Sequence, residues 1–236
     1  MMIFDKIIKD EDEVKSIVKE SLNKNSNLLL TYFNQNCYNH YISHSNYKEL
    51  IDKRFTVYLD GIGMYFALWY LGYESVEKFN ATDFNYGLFE LFAAESKRIF
   101  LIGGDFSEKN IFKKTKTDCI NIVGYSSGFF ESRDHDNLVK SIRSTAPNVV
   151  IIGMGVLKQE LLAAELSKSI TVDEIICVGN FLEFYFGTKP RIPSILRNLG
   201  IEWIFRLISE PKRLWKRYLL GIPKFIANIY RLKKLV

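Results

Sequence analysis

The sequence predicts an α/β fold, a mostly parallel sheet followed by a helical appendage, and three observations carry that expectation. Six short apolar runs recur between residues 28 and 180, segments of helical period separate them, and the strand pattern stops after Gly187. Such alternation describes parallel strands buried on both faces beneath crossover helices.

The runs LLLTYF (28–33), FTVYLDG (55–61), RIFLIGG (98–104), INIVGY (120–125), NVVIIGMG (148–155) and EIICVGN (174–180) have strand length, and several stop at glycine. Between them MYFALWYLG, residues 83–97, residues 108–116, NLVKSIRS and KQELLAAELSK repeat apolar residues at helical spacing. Pro190 and Pro193 then open a helical stretch reaching about Ile208. Ser209-Glu210-Pro211 reads as an N-cap with an early helix proline, and Gly221-Ile222-Pro223 breaks that helix before a last short one. The chain divides into a core, residues 1–189, and an appendage, residues 190–236.

At 236 residues and 47% apolar content the chain buries a real core. Its net charge of +5 hides a split. From Lys189 onward twelve Lys and Arg face only Glu202 and Glu210, a local +10, while residues 1–188 carry −5. The tail therefore suits phosphates of nucleic acid, lipid headgroups or pyrophosphate. Within it, Leu214, Trp215, Tyr218 and Leu219 form an apolar face flanked by Lys212, Arg213, Lys216 and Arg217, the composition of a helix lying on an anionic membrane. Packing on its own domain or a neighbouring subunit is the alternative. Arg206 and Arg213, seven positions apart, share a face unless Pro211 interrupts the helix.

Cys37, Cys119 and Cys177 are odd in number and widely spaced, which predicts buried thiols in a reduced cytoplasmic protein. The N-terminus, MMIFDKIIKDEDEV, lacks the apolar stretch of a signal peptide, and no apolar run reaches the roughly 18 residues of a membrane span.

In open parallel sheets ligands bind beyond the carboxyl ends of the strands, and four segments place unusual residues there. In YLDGIG, Asp60 precedes Gly61 and Gly63; it is a candidate proton acceptor or a helix cap. In GMGVLKQE, Gly153 and Gly155 lead into a helix whose free amides suit a diphosphate, with Gln159 able to bond a sugar or base; an unliganded glycine turn is the alternative. In CVGNFLEFYFG, Gly179 and Asn180 precede an aromatic helix in which Glu183 needs a polar partner, for which a ribose hydroxyl would serve. In GYSSGFF, Tyr125 stacks on a base or simply makes a turn. Asp10-Glu11-Asp12 and Asp134-His135-Asp136 read as helix caps or solvated loop rather than Mg²⁺ ligands, and His40, His44 and His135 have no metal-binding spacing. No dinucleotide fingerprint, Walker loop or G-x-S-x-G supports an oxidoreductase, ATPase or hydrolase.

In order and spacing, DGIGM at Asp60, GMGVLKQE at Gly153, CVGN at Cys177 and EWIFRLISEPKRLWKRYLLGIPKF from Glu202 resemble the WecG/TagA/CpsF family of bacterial glycosyltransferases. The resemblance runs from about residue 28 to the end. It implies a Rossmann-like core with a C-terminal membrane-docking appendage that completes the active site. It also implies inverting, metal-independent transfer of N-acetylmannosamine or a related hexose-type sugar from a UDP donor to a polyprenyl-pyrophosphate-linked sugar, at the cytoplasmic face of the membrane, in cell-surface polysaccharide synthesis. No cofactor is expected beyond the UDP-sugar substrate, no nucleic-acid partner is expected, and homo-oligomerisation stays open.

By similarity Asp60 is the general base, with Asn34, Tyr32 and Lys78 beside it. Gly61, Tyr125, Gly153, Gly155, Gln159, Glu160, Gly179, Asn180 and Glu183 fall in the donor pocket, and Arg206, Arg213, Lys216 and Arg217 meet the acceptor diphosphate. The sequence departs from the family pattern in three places. Tyr32 stands at a Thr position, Lys78 and Asn80-Ala81-Thr82-Asp83 stand where an Arg and a Gly-x-Asp usually occur, and Leu157 replaces a proline. The first two bear on the donor sugar. The competing reading is a non-catalytic nucleotide- or nucleic-acid-binding Rossmann-like protein, which accounts for the tail but not for Asp60 or the glycine turns.

Overall fold

A computed structural model describes residues 2–130, 134–191 and 202–235. Six strands form one all-parallel sheet: β1 (Leu28–Phe33), β2 (Thr56–Leu59), β3 (Arg98–Gly103), β4 (Asn121–Ser126), β5 (Val149–Gly153) and β6 (Glu174–Cys177), in the order β2-β1-β6-β5-β3-β4. Each strand coincides with a predicted run, shortened where the terminal Gly or Asp leaves the ladder. Residues Val149 to Ile152 and Glu174 to Cys177 are buried at every position, so both faces of the sheet are covered. From β3 the chain moves outward to β4, whereas from β5 it moves the other way to β6, which puts a topological switch point between β3 and β5. There Gly103 pairs with Gly153, and a Cβ on Gly103 would run into the Gly153 backbone.

The described helices of the core are α1 (Ile3–Lys6), α2 (Glu11–Ser21), α3 (Gln35–Ser43), α4 (Ser45–Arg54), α5 (Ile62–Leu71), α6 (Ala81–Ala94), α7 (Glu108–Thr117), α8 (His135–Thr145), α9 (Lys158–Ser169) and α10 (Phe181–Tyr185). The acidic triplet at the start of α2 is a cap: Asp10 accepts a hydrogen bond from the Glu13 amide at 2.9 Å. Asp134 holds the N-cap position of α8. Ile8 pairs with β2 on the sheet's outer edge, its amide donating to Val57 O and its carbonyl accepting from the Leu59 amide, both at 2.9 Å.

Among the described residues of the tail, three helices and a π-helical turn follow one another: α11 (Glu202–Ser209), α12 (Pro211–Trp215), the π segment (Lys216–Leu220) and α13 (Gly221–Lys233). The predicted helix entry at Pro190 and Pro193 lies largely outside the described residues. Three expectations need correction. Gly221-Ile222-Pro223 does not precede a short helix but opens one of 13 residues, because proline is tolerated in a first turn. The apolar face of the tail is split: Leu214 and Tyr218 are buried, whereas Trp215 and Leu219 face outward. Finally, Cys119 is exposed in a turn at φ 53°, while Cys37 and Cys177 are buried as expected. α13 packs against α3 and α5, and its Phe225 and Ile229 join the hydrophobic core of the whole chain.

Candidate active site

Two adjacent strand ends fix the acid. Asn34, the residue after β1, caps α3 by accepting hydrogen bonds from the Asn36 and Cys37 amides at 3.0 and 3.2 Å. That capping role orients its amide nitrogen, which donates to Asp60 Oδ2 at 3.0 Å. Asp60 follows β2, and its Oδ1 accepts from the Ala81 amide, the first residue of α6, at 3.1 Å. Gly61 then turns at φ 82°, a conformation in which a Cβ is strained, and its amide reaches Phe79 O at 3.1 Å. Asp60 does not cap α5, the helix that follows it, whose N-cap is Gly61; it takes one amide at the start of α6 beside the Asn80 cap, and its carboxylate lies at the cavity wall.

The glycine turns after β5 and β6 form the opposite side. Gly155, at φ 85°, has nothing within 4 Å of a hypothetical Cβ and lines the cavity. Gly179, at φ 58°, lies so close to the Tyr32 hydroxyl that a Cβ would stand 2.5 Å from it. Burial pushes the Tyr32 phenol well above its usual pKa, so it enters the cavity as a neutral hydroxyl.

Gln159 and Glu160 stand elsewhere than the cavity wall: both are fully buried beneath it. Gln159 Oε1 accepts from the Gly179 amide at 3.0 Å, and its Nε2 donates to Glu160 Oε1 at 2.8 Å. Glu160 also accepts from Thr31 Oγ1 at 2.9 Å and from the Leu157 amide at 2.7 Å. This network ties the loops after β5 and β6 to β1. Burial raises the Glu160 carboxyl pKa, and hydrogen bonds from Gln159, Thr31 and the backbone oppose that. Leu157 sits at φ 76°, which proline cannot adopt, and its N–H is in use; the departure from the family motif is therefore built into the turn.

The tail closes the cavity. Trp203, Arg206, Arg213, Leu214, Arg217 and Tyr218 line one wall of a space of about 570 Å³ that also contacts Tyr32, Asn34, Asp60, Gly61, Lys78, Gly155 and Asn180. The Arg206 guanidinium lies 5.0 Å from the Phe184 ring, and the Trp203 ring packs at a tilt of 53° against Tyr218, with centroids 5.7 Å apart. Ten predicted site residues therefore meet in one cavity despite the break between α11 and α12. Gly153 lies behind it, packed against Gly179 and Leu182, and Lys216 lies outside it. Tyr125, at the end of β4, is also outside: its hydroxyl accepts from the Phe106 amide at 2.9 Å and donates to Gly104 O.

Glu183 requires a correction. Its partner is Lys189, whose ammonium lies 2.6 Å from Glu183 Oε2 and 2.9 Å from Glu210 Oε1, while Arg213 Nε binds Glu210 Oε2 at 2.5 Å. This chain of charges, which sequence reasoning missed, straps tail to core. Gln35, Asn36, Tyr65 and Asn85 were also missed as cavity residues; no motif in the sequence singles them out. Among the described residues no three His, Cys, Asp or Glu side chains gather as metal ligands.

A parallel sheet with glycine-turned strand ends defines a Rossmann-like α/β protein, and its cavity carries a fixed carboxylate on one side and the tail's arginines on the other. The chain belongs to the WecG/TagA/CpsF family of glycosyl transferases, whose model matches residues 4–235, nearly its full length. It is a glycosyltransferase, of a family that serves cell-surface polysaccharide synthesis. Among the described residues no helix is long and apolar enough to cross a membrane.

Proposed function

We propose that the protein transfers a hexose-type sugar, N-acetylmannosamine or a relative, from a UDP donor to a polyprenyl-pyrophosphate-linked sugar with inversion, as a peripheral enzyme on the inner face of the cell membrane. One observation carries this reading: Asp60, the glycine turn at Gly155 and the arginines of the tail share one cavity of a size suited to a small-molecule substrate.

In this mechanism Asp60 accepts the proton of the acceptor hydroxyl as its oxygen attacks the anomeric carbon from the face opposite the nucleotide. The bond from that carbon to the phosphate oxygen breaks, and its electron pair leaves with UDP. Asn34 and the Ala81 amide hold the carboxylate in position. Arg206, Arg213 and Arg217 supply fixed positive charge for the diphosphates, so the step asks nothing of a metal. Tyr32 and Asn180 offer neutral hydrogen bonds to the sugar, and Lys78 stands at the cavity edge over the Tyr65 ring. Gly61 gives the backbone close access to the ligand, while Gly153, Gly179, Gln159 and Glu160 shape the donor pocket from behind.

The test is a panel of UDP-sugars with a short polyprenyl-pyrophosphate-linked acceptor, the product anomer being read by NMR. Transfer from one UDP-sugar with an inverted linkage is expected. Absence of UDP binding in calorimetry, or a retained anomer, contradicts the reading.

A further inference from the structure

The buried face of α6 is apolar but for one residue. Ala81, Phe84, Leu88, Phe89 and Phe92 are its hydrophobic side chains, and Asn85, 1% exposed, is the exception. An asparagine in the middle of a helix is a poor helix former, and burying its amide is costly unless both ends of that amide are hydrogen-bonded. Only one end is. Asn85 Oδ1 accepts from the Tyr58 hydroxyl at 3.4 Å, while Nδ2 is buried with no acceptor among the described residues.

Tyr58 decides which end is left over. Its ring packs against Phe79 and Phe84, with centroids 5.2 and 5.0 Å away, and burial raises its phenol well above the usual pKa. The hydroxyl is therefore neutral and donates to Oδ1, which leaves the amide's donor unpaired. Asn85 lines the main cavity, on the wall that carries Tyr32, because Tyr32 and Tyr58 are partners across β1 and β2 and leave the same face of the sheet. It stands one turn of α6, about 6 Å, beyond Ala81, whose amide anchors Asp60. A ligand group that meets Asn85 thus lies close to the reacting carbon. The lining beside it is apolar: Phe79, Val178 and Phe181 line the same cavity, Phe79 against Tyr58 and Phe181 against Tyr86, the neighbour of Asn85. One neutral donor in an apolar recess matches a carbonyl oxygen carried beside a methyl group.

We infer that Asn85 is a specificity-determining residue, its Nδ2 donating to the carbonyl oxygen of an acylamino group on the carbon next to the anomeric centre of the donor sugar. The assignment rests on the transfer reading above and adds to it the side chain that reads the sugar. A hydroxyl in place of the acylamino group ends short of the recess and leaves the amide unpaired. A buried donor rejects in this way a ligand that lacks its acceptor.

The experiment is calorimetry on the full-length chain with UDP and two matched pairs, UDP-N-acetylmannosamine with UDP-mannose and UDP-N-acetylglucosamine with UDP-glucose. In the pair whose configuration the site accepts, wild type is expected to bind the acetylated sugar nucleotide about tenfold more tightly. Asn85→Leu removes the amide, and Asn85→Asp keeps an acceptor for Tyr58 but removes the donor; each should bring that preference to within about twofold of unity while UDP affinity also stays within about twofold. Unchanged UDP affinity shows that the site is folded. The assignment is overturned if either variant keeps the preference, or if UDP binding weakens as much as binding of the acetylated sugar nucleotide. If wild type binds UDP but distinguishes neither pair, the assignment falls and the donor reading stands. If no uridine nucleotide binds, the donor reading falls and takes the assignment with it.

Discussion

Asp60 and Asn34 occupy the ends of adjacent strands, 26 positions apart in sequence and 3.0 Å apart in space. Asn34→Ala removes both a cap and the Asp60 contact, so it should cost about 1 kcal/mol of stability and about tenfold in turnover, read by melting and by a transfer assay. Gly179→Ala places a Cβ against the Tyr32 hydroxyl at a positive φ and should destabilise by about 1–3 kcal/mol. Adding Tyr32→Phe should recover part of that loss in denaturant unfolding, whereas simple additivity would place the strain elsewhere. Glu174, buried beside Ser21 at the other end of the sheet, is raised to about 8 by burial. Its folded pKa lies above the unfolded value near 4.5, so its contribution falls as pH rises from about 4.5 to about 8. Glu174→Gln should flatten that part of the stability profile. At this scale Asp60, Gly155 and Asn180 were legible because each follows a strand-like run. The inward aim of Gln159 and Glu160 was not, since a polar residue at a helix start looks the same whether it faces ligand or core.

The six strands were legible from their apolar runs because a parallel strand must be apolar on both faces. α3 and α4 were not, because their buried faces are built on Cys37, Tyr38, Tyr41 and Tyr47 among Asn, His and Lys, which gives little hydrophobic contrast. The tail's helices were legible but not their seating. That depends on the bridge from Glu183 through Lys189 to Glu210, which joins residues from three separate segments. Burial alone would raise the Glu210 pKa, but hydrogen bonds from Arg213 and Lys189 outweigh it and leave it lowered. The bridge therefore contributes fully above the unfolded carboxyl pKa of about 4.5 and is lost as pH falls through the lower folded value. Lys189→Ala should accelerate hydrogen exchange in α11 and α12 at neutral pH, an effect of about 1 kcal/mol or less for a partly exposed pair. Exchange unchanged from wild type would mean that the apolar contacts of Leu214 and Tyr218 alone seat these helices.

The whole molecule is polarised: residues 1–188 carry −5 and the remainder +10. The exposed Trp215, Leu219, Leu220, Ile226 and Tyr230 of the tail lie on segments that also carry its cations, and α5, which α13 contacts, exposes Phe66, Trp69 and Tyr70. Anionic vesicles should therefore shift tryptophan emission to the blue and neutral vesicles should not, with the response fading as salt rises. An equal response to both lipids would remove the electrostatic part of the account. The division at residue 190 remains a proposal about function, because α13 packs into the same core as the sheet.

The most direct measurement compares single-turnover transfer by wild type and Asp60→Asn, using the UDP-sugar and lipid-linked acceptor identified in the panel, at matched UDP affinity and melting temperature. A loss of about a thousandfold is predicted for removal of the base. Turnover within about tenfold of wild type would contradict the placing of proton transfer at this carboxylate.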